Sequence, residues 1–183
     1  MACFLIVLAM ETKVNCKHVL LKTVPYQKDY KNDVNFIGYR SVKAMINITT
    51  EPIDACKILI ETMDKSAGGT ALFIGTVRDH NETDAVFELR YEAYKEMAEK
   101  NLVEIENEVR KKWDLKNFVA IHRTGDLHTG EVSVAVAASA EHRKEAFEAC
   151  KYGIDEIKAR APIWKKEVTA NGAEWVSGIS DKA

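Results

Sequence analysis

The order of hydrophobic patterns along the chain constrains its fold more than any other feature of the sequence. From Met45 onward, strand-like runs and helix-like segments alternate without a regular repeat. The strand-like runs are "MINIT", "TALFIGTVR", "AVFELRYEAY", "NFVAIHR", "EVSVAVAASA" and "IWKKEVT". Several of these runs follow one another with only a turn between them, which is not the order of a regular β-α-β winding. The pattern therefore predicts a fold of the α+β class.

Three segments have the pattern of amphipathic helices. The first is expected to be capped by Thr50, with Pro52 in its first turn. The second is predicted from about Lys95 to Trp113. The third is "EHRKEAFEACKYGIDEIKARA", and it must end before Pro162, which cannot continue a helix. Beyond it, "ANG" between two short strand-like runs indicates a hairpin.

Alternation along two of the strands predicts which side chains face the core. Phe87, Leu89 and Tyr91 are expected to share one face of their strand. His122 and Arg123 are interpreted as structural, because one of two neighbours on a strand faces inward and the other outward. The segment "TGDLHTG" that follows them is predicted to be a turn.

Residues 1–44 differ from the rest of the chain, because they show no sustained helical or strand period. The apolar run "MACFLIVLAM" has no basic residue ahead of it and no clear cleavage site after it, so it makes a poor secretory signal. The segment is expected to be an extension outside one domain over residues 45–183. A loosely ordered extension, a weak targeting peptide and sequence ahead of a true start at Met45 all remain open.

Composition and charge exclude several classes of function. The formal net charge is −2 and the pI is about 6.2, so a generally basic nucleic-acid-binding surface is not expected. No apolar run approaches the roughly 20 residues that span a bilayer. The four cysteines form neither a C-x-x-C pair nor a zinc-ligand spacing, and Cys56 and Cys150 are expected to pack as small apolar residues. We expect a cytoplasmic protein with no metal, cofactor, nucleic-acid partner or membrane partner.

Basic side chains gather at four places that suit an anionic ligand. At the first, Arg78 ends a strand, although a surface arginine is the simpler interpretation. At the second, a helix that begins at Ser139 or Glu141 would place His142 and Arg143 in its first turn. Free backbone N–H groups there favour an anion, whereas two cations in that turn are unfavourable without one.

The third place is Lys158 with Arg160, near the end of the same helix, and the fourth is Lys165 with Lys166 and Glu167, in the strand after the Pro-Ile-Trp corner. A solvated helix end with lysines over the last carbonyls is the simpler interpretation, whereas a pocket for an anion is the functional one. Lys158 lies 16 residues after His142, which is about 24 Å along a straight helix. One small ligand cannot touch both side chains, so a shared function predicts a two-fold dimer with a pocket between the chains.

Several stretches together resemble the large, catalytic subunit of molybdopterin synthase. They are "FIGTVRDHN", "LRYEAYKEMAEK", "IHRTGDLHTGE", "SAEHRKEAFEACKYGIDEIKARAPIWKKE" and "EWV". The resemblance runs from Met45 to about Ser177, and it implies an α/β hammerhead fold with a mixed or antiparallel sheet and flanking helices. It also implies a sulfurtransferase that moves two sulfurs onto cyclic pyranopterin monophosphate. The product would be the dithiolene of molybdopterin, in molybdenum cofactor biosynthesis.

The same resemblance implies the partners and the site. A small ubiquitin-like sulfur carrier, whose C-terminal Gly-Gly ends as a thiocarboxylate, would bind each subunit of a homodimer and give a heterotetramer. The family's two catalytic lysines, which also bind substrate, match Lys158 and Lys165. The other positions that the resemblance assigns to the substrate are Thr76, Val77, Arg78, Lys166, Glu167 and, from the neighbouring subunit, His142 and Arg143. The positions that it assigns to the carrier's tail are Phe73 and Ile154.

One departure from the family and two alternative functions remain. Some members have an arginine shortly after the equivalent of Trp175, where this tail supplies only Lys182. A different transferase or lyase acting on a phosphorylated metabolite would use the same basic pocket without a protein carrier. A dimeric partner-binding module would use the lysines to dock an acidic C-terminal tail.

Overall fold

The structure is a computed structural model, and it describes residues 45–176. The predicted extension over residues 1–44 lies outside the described residues, as do Lys182 and the rest of the tail. The elements in chain order are β1 (Met45–Thr49), α1 (Ala55–Thr62), β2 (Gly69–Thr76), β3 (Val86–Ala93), α2 (Lys95–Lys112), β4 (Leu115–Arg123), β5 (Gly125–His128), β6 (Val132–Ala140), α3 (Arg143–Arg160), β7 (Ile163–Thr169) and β8 (Gly172–Val176).

The strands form two four-stranded sheets. The first has the order β1-β4-β6-β2, in which β1 and β4 are parallel and the other neighbours are antiparallel. The second has the order β5-β3-β7-β8 and is antiparallel throughout. β7 and β8 pair across a short turn at the predicted hairpin, whereas the other paired strands of residues 45–176 are not consecutive in the chain. The predicted α+β class with mixed and antiparallel sheets is therefore confirmed.

The first sheet is buried on both faces, which explains why its central strand β6 is an almost continuous apolar run. On one face Val134, Val136 and Ala138 pack with α2 and α3 in the largest core cluster. On the other face Ala135 and Ala137 pack beneath α1 in a second cluster. The small side chains of β6 allow α3 to pack closely against the sheet. This packing positions the C-terminal end of α3.

The second sheet has its own small apolar cluster. Val77, Val86, Leu89 and Leu127 pack together beneath its inner face. The sheet includes β5, although the sequence predicts only a turn over these residues. β5 pairs with β3 over four residue pairs, and such long-range pairing cannot be derived from local turn signals.

Two local predictions are wrong, and the structure shows why. α1 begins at Ala55 and is capped by Asp54 rather than by Thr50, because the Asp54 side chain accepts a hydrogen bond of 2.9 Å from the Lys57 N–H. Phe87 is 56% exposed and does not share a face with Leu89. The pairing of β3 with β7 shifts register between Val86 and Glu88, and this irregularity breaks the alternation that the sequence pattern assumes.

Candidate active site

A cavity of about 340 Å³ lies between the two sheets, beside the C-terminal half of α3. Its volume lies within the range of small-molecule sites. The strands β2, β3, β6 and β7 and the helix α3 all contribute to its wall. Seven of the positions predicted from the resemblance line it, namely Phe73, Thr76, Arg78, Ile154, Lys158, Lys165 and Glu167.

Lys158 approaches the cavity from the last turns of α3. Its Nζ lies 5.9 Å from the centre of the Phe73 ring, which belongs to β2. A lysine near the end of a helix is favoured by the helix dipole. The aromatic face beside it also favours a cation. The helix and the sheet therefore hold this ammonium group at the cavity wall, and it stays accessible to a ligand.

Lys165 and Glu167 enter the cavity from β7. Residues two apart on a strand share a face, and the Lys165 Nζ donates to the Glu167 Oε1 at 3.2 Å. The second oxygen of this carboxylate, Oε2, accepts a hydrogen bond of 2.9 Å from the side-chain amide of Asn81. Burial by itself would raise the pKa of Glu167. The bonds from Asn81 and Lys165, with the charges of Lys165 and Arg78, outweigh that effect and lower the pKa below its ordinary value.

Thr76 is the last residue of β2, and Val77 and Arg78 follow it. The side chains of these three predicted site residues do not all face the cavity. Thr76 and Arg78 line the cavity. The charge of Arg78 is also one of the causes that lower the pKa of Glu167. Val77 is only 2% exposed and packs in the small cluster beneath the second sheet. Its backbone N–H and carbonyl are already bonded to Glu131 and Gly130, so Val77 supports the wall and offers a ligand no group of its own.

Lys166 does not face the cavity. Because neighbours on a strand point to opposite faces, it lies on the outer side of the second sheet. Its Nζ is 5.6 Å from the centre of the Trp175 ring on β8. Within one chain, the structure therefore separates Lys166 from the two predicted catalytic lysines.

His142 and Arg143 lie at the opposite end of α3 from Lys158. The helix begins later than predicted, because Ser139 still belongs to β6, and its backbone is paired there with Thr70 and Asn117. His142 is the residue before the first helical turn, Arg143 is the first helical residue, and both are exposed. Neither residue lines the cavity of its own chain. If they act there, a second copy must supply them.

His122 lines the cavity, although its position on the strand predicts only a structural role. It is 8% exposed, and burial lowers its pKa to about 4, so the ring is neutral at physiological pH. Its Nδ1 lies 2.8 Å from the Arg123 carbonyl oxygen. That oxygen can only accept, so Nδ1 carries the proton and Nε2 is an acceptor. The Tyr91 ring packs edge-on against it at 5.2 Å, and Tyr91 is a second lining residue that the sequence pattern missed.

The cysteines of the described residues contribute nothing to this cavity. Cys150 is buried and donates to the Val136 carbonyl oxygen at 3.2 Å. Burial raises the pKa of its thiol to about 11, so it is not a nucleophile at neutral pH. Cys56 lies in α1, on the other side of the first sheet, and is not part of the cavity wall.

Residues 45–176 contain neither a metal-binding cluster nor a membrane-spanning helix. In this part of the chain, no group of three or more His, Cys, Asp or Glu side chains is arranged to hold a metal ion. None of the helices between β1 and β8 is both long enough and apolar enough to cross a membrane.

The arrangement suits chemistry on anions. Lys158, Lys165 and Arg78 approach one cavity from three different elements, and Glu167 is the single carboxylate in its wall. In a partly enclosed site, two opposite charges at 4 Å attract each other by about 4 kcal/mol at an effective dielectric constant of 20. The same lysines are suited to exchange protons with a bound reactant.

Comparison with known proteins identifies a family. The MoaE protein family matches residues 48–160. The molybdopterin synthase catalytic subunit of Oryza sativa subsp. indica is 48% identical over 123 residues, which is 67% of this chain and 64% of the relative. The chain thus spans less than two thirds of that relative's length.

A second relative extends the match. The molybdopterin synthase catalytic subunit of Homo sapiens is 34% identical over 167 residues, which is 91% of this chain and 88% of the relative. Residues 45–183 are fewer than the 167 residues of this alignment. This alignment therefore reaches into residues 1–44, which the resemblance in the sequence had left outside.

Solved structures share the fold. Molybdopterin synthase from Staphylococcus aureus superposes with a TM-score of 0.68 at 36% identity, covering 72% of this chain and 96% of that chain. A complex of subunits 1 and 2 of molybdopterin-converting factor from Helicobacter pylori superposes with a TM-score of 0.60 at 21% identity, covering 75% of this chain and 91% of that chain. The second likeness is one of fold alone.

Proposed function

The chain belongs to the MoaE protein family, and we propose that it is the catalytic subunit of a molybdopterin synthase. It transfers two sulfurs to cyclic pyranopterin monophosphate from a ubiquitin-like carrier whose C-terminal Gly-Gly ends as a thiocarboxylate. The product is the dithiolene of molybdopterin, and the reaction takes place in the cytoplasm. The observation that carries this proposal is the approach of Lys158, Lys165 and Arg78 to one cavity.

The cations of the cavity wall offset the repulsion between the two reactants. Both reactants are anions, a cyclic phosphate and a thiocarboxylate, and they repel each other as they approach. Arg78 offers a planar fork of N–H donors that fits two phosphate oxygens. Lys158 attracts the thiocarboxylate at the helix end. The charges of the wall thus make the encounter of the two reactants favourable.

The apolar part of the wall suits the carrier's tail. Phe73 and Ile154 line the cavity next to Lys158, and a Gly-Gly tail has no side chains that would need further space. The tail would place its terminal sulfur beside the Lys158 ammonium group. This arrangement orients the sulfur before it attacks, which is the main contribution of a positioning site.

Lys165 is assigned to proton transfer. Sulfur attack and opening of the phosphate ring both require protons to move, and a positioned side chain can accelerate such steps by roughly 10²- to 10⁴-fold. Glu167 holds the Lys165 ammonium group at 3.2 Å. The cavity is therefore supplied with a proton donor whose position is fixed.

A second copy of the chain completes the site. His142 and Arg143 are exposed at the start of α3, and about 24 Å of helix separates them from Lys158. In a two-fold homodimer, each chain contributes this pair to the cavity of the other. Each subunit also binds one carrier, which gives a heterotetramer.

One assay tests this proposal. The purified chain is mixed with the thiocarboxylated carrier and cyclic pyranopterin monophosphate, and molybdopterin is measured. We expect product with the thiocarboxylated carrier and none with the same carrier ending in an ordinary carboxylate. A folded chain that binds the carrier but forms no molybdopterin would contradict the proposal.

A further inference from the structure

The loop between β2 and β3 reaches across to the lysine-bearing strand through Asn81. The Asn81 Nδ2 donates to the Glu167 Oε2 at 2.9 Å, while the Glu167 Oε1 accepts from Lys165 at 3.2 Å. Glu167 is 9% exposed, and a carboxylate buried to this degree needs partners for its oxygens. The loop amide and the ammonium group thus divide the two oxygens between them.

The orientation of the Asn81 amide is fixed by its own loop. Its Oδ1 accepts from the backbone N–H groups of Thr83 at 2.9 Å and Asp84 at 2.7 Å. If the amide were turned over, its NH₂ group would face these donors and the hydrogen bonds would be lost. The Nδ2 therefore points to Glu167.

The loop is also attached to the second sheet at another point. The Asn171 Nδ2, in the turn between β7 and β8, donates to the Asp84 Oδ1 at 2.8 Å. The Val86 N–H donates to the Asp79 carbonyl oxygen at 2.8 Å where the loop enters β3. The Asn81 side chain is thereby carried by a loop with several attachments, which makes it a stable support for Glu167.

From this geometry we infer that Asn81 is a positioning residue for Lys165 and acts through Glu167. It occupies one oxygen of Glu167, so the carboxylate offers only its other oxygen to the cavity's cations. Without that bond, the carboxylate is free to rotate and pair with both Lys165 and Arg78, and it would then compete with the anionic reactants. The role in sulfur transfer rests on the proposed function, whereas the effect on Lys165 does not.

The substitution Asn81→Asp tests this role with little change of shape. The aspartate keeps an oxygen for the N–H groups of Thr83 and Asp84, so the loop retains its turn. It removes the donor to Glu167 and places a second carboxylate beside it, which drives Glu167 toward Lys165. We expect kcat to fall by about 10- to 100-fold, as for a displaced catalytic group, while KM changes less than about 3-fold.

A double variant separates positioning from a merely structural role. In Asn81→Asp with Glu167→Gln, the new amide donates to the new carboxylate, and its carbonyl oxygen still accepts from Lys165. We expect the double variant to be more active than Asn81→Asp alone, a coupling that additive structural damage does not produce. The inference would be overturned if the activity loss of the double variant equalled the product of the losses of Asn81→Asp and Glu167→Gln measured singly.

A chemical readout works even if the chain does not transfer sulfur. The rate of reductive methylation at Lys165, followed by mass spectrometry, should fall several-fold in Asn81→Asp, because Glu167 then holds the ammonium group more tightly. Lys151, exposed on α3 and paired with Asp155, is the internal reference. An unchanged rate at Lys165 would overturn the inference, whereas absent turnover in the native chain would overturn the proposed function alone.

Asn171→Asp is the matched control. It removes the same kind of bond, from an amide to a carboxylate, but between Asn171 and Asp84 at the exposed end of the loop. We expect sulfur transfer and Lys165 methylation to stay within about 2-fold of the native chain, since this substitution leaves in place the bond from Asn81 to Glu167 and the two N–H bonds to the Asn81 Oδ1. A loss equal to that of Asn81→Asp would assign the effect to loop anchoring in general and contradict a specific role of Asn81.

Discussion

Lys165 and Glu167 face one cavity from alternate positions of β7, with the Lys165 Nζ 3.2 Å from the Glu167 Oε1. Lys158 reaches the same cavity from α3, with no contact to a carboxylate among its described partners. The two lysines are thus placed in different surroundings, one held by an anion and one beside an aromatic ring. This difference supports a division of roles, in which Lys158 receives the thiocarboxylate and Lys165 moves the proton.

Replacing Lys158 with alanine should reduce molybdopterin formation by at least about 100-fold. The side chain is exposed and its Nζ lies beside the Phe73 ring at the cavity wall, so the fold and carrier binding should be retained. Initial rates and carrier binding by calorimetry check both statements. Lys151→Ala, two turns earlier on the same helix, is the control and should keep native rates. Retained turnover in Lys158→Ala would remove the lysine from the mechanism.

His122 should make stability depend on pH. Its pKa of about 4 in the folded chain lies below the ordinary value of 6.5, so the unfolded state takes up a proton first as the pH falls. The free energy of unfolding should therefore decrease between pH 6.5 and about 4, with about 2 kcal/mol of the loss between pH 7 and pH 5. Urea unfolding at both values measures it.

The variant His122→Gln should lose that contribution. Its free energy of unfolding should fall less between pH 7 and pH 5 than that of the native chain, by about 2 kcal/mol. Identical pH dependence in both proteins would show that the imidazole is not held neutral in the cavity wall.

Gly153→Ala should destabilise the fold, although alanine is the better helix former by about 1 kcal/mol. An added Cβ would lie 2.8 Å from the Phe118 Cζ and 3.0 Å from the Val136 Cγ1, and both side chains are fully buried. Overpacking of this kind costs about 1 to 3 kcal/mol, so a net loss is expected in urea unfolding. A variant as stable as the native chain would show that α3 can move away from the sheet at no cost.

Replacing Cys56 and Cys150 together with serine should leave sulfur transfer within about 2-fold of the native rate. Cys150 is kept as a thiol by its pKa of about 11, and neither side chain lines the cavity. A serine hydroxyl can still donate to the Val136 carbonyl oxygen. Turnover assays check the rate, and circular dichroism checks the fold. An inactive but folded double variant would show that sulfur passes through this chain's own thiols.

The sequence predicts the parts of this molecule that depend on local pattern. The α+β class, the bounds of α2, the stop before Pro162 and the last hairpin all follow from periodicity and turn residues. The start of α1 at Ala55 was missed, because Thr50 and Asp54 are both good caps and only the folded chain shows which one is used. Phe87 was missed because a register shift is a property of two strands and not of one.

The same holds for the site: features that depend on neighbouring residues follow from the sequence, whereas contacts between residues far apart in the chain do not. Alternation on β7 places Lys165 with Glu167 and turns Lys166 away, yet the resemblance assigned all three positions to the substrate, and Lys165 to catalysis as well. Asn81 escaped notice because its partner Glu167 is 86 residues further along the chain. His122 could have been suspected from one signal, a polar residue near the end of an otherwise apolar buried strand.

The central claim is that cations from two chains meet at one reaction centre, and a mixed dimer tests it most directly. Chains carrying Lys158→Ala and chains carrying His142→Ala are co-expressed with different affinity tags, and the mixed dimer is selected by both tags. Each parent dimer should be inactive. The mixed dimer contains one cavity in which Lys158 of one chain and His142 of the other are both intact, so it should recover about half of the native rate of molybdopterin formation. A mixed dimer as inactive as its parents would contradict a shared cavity.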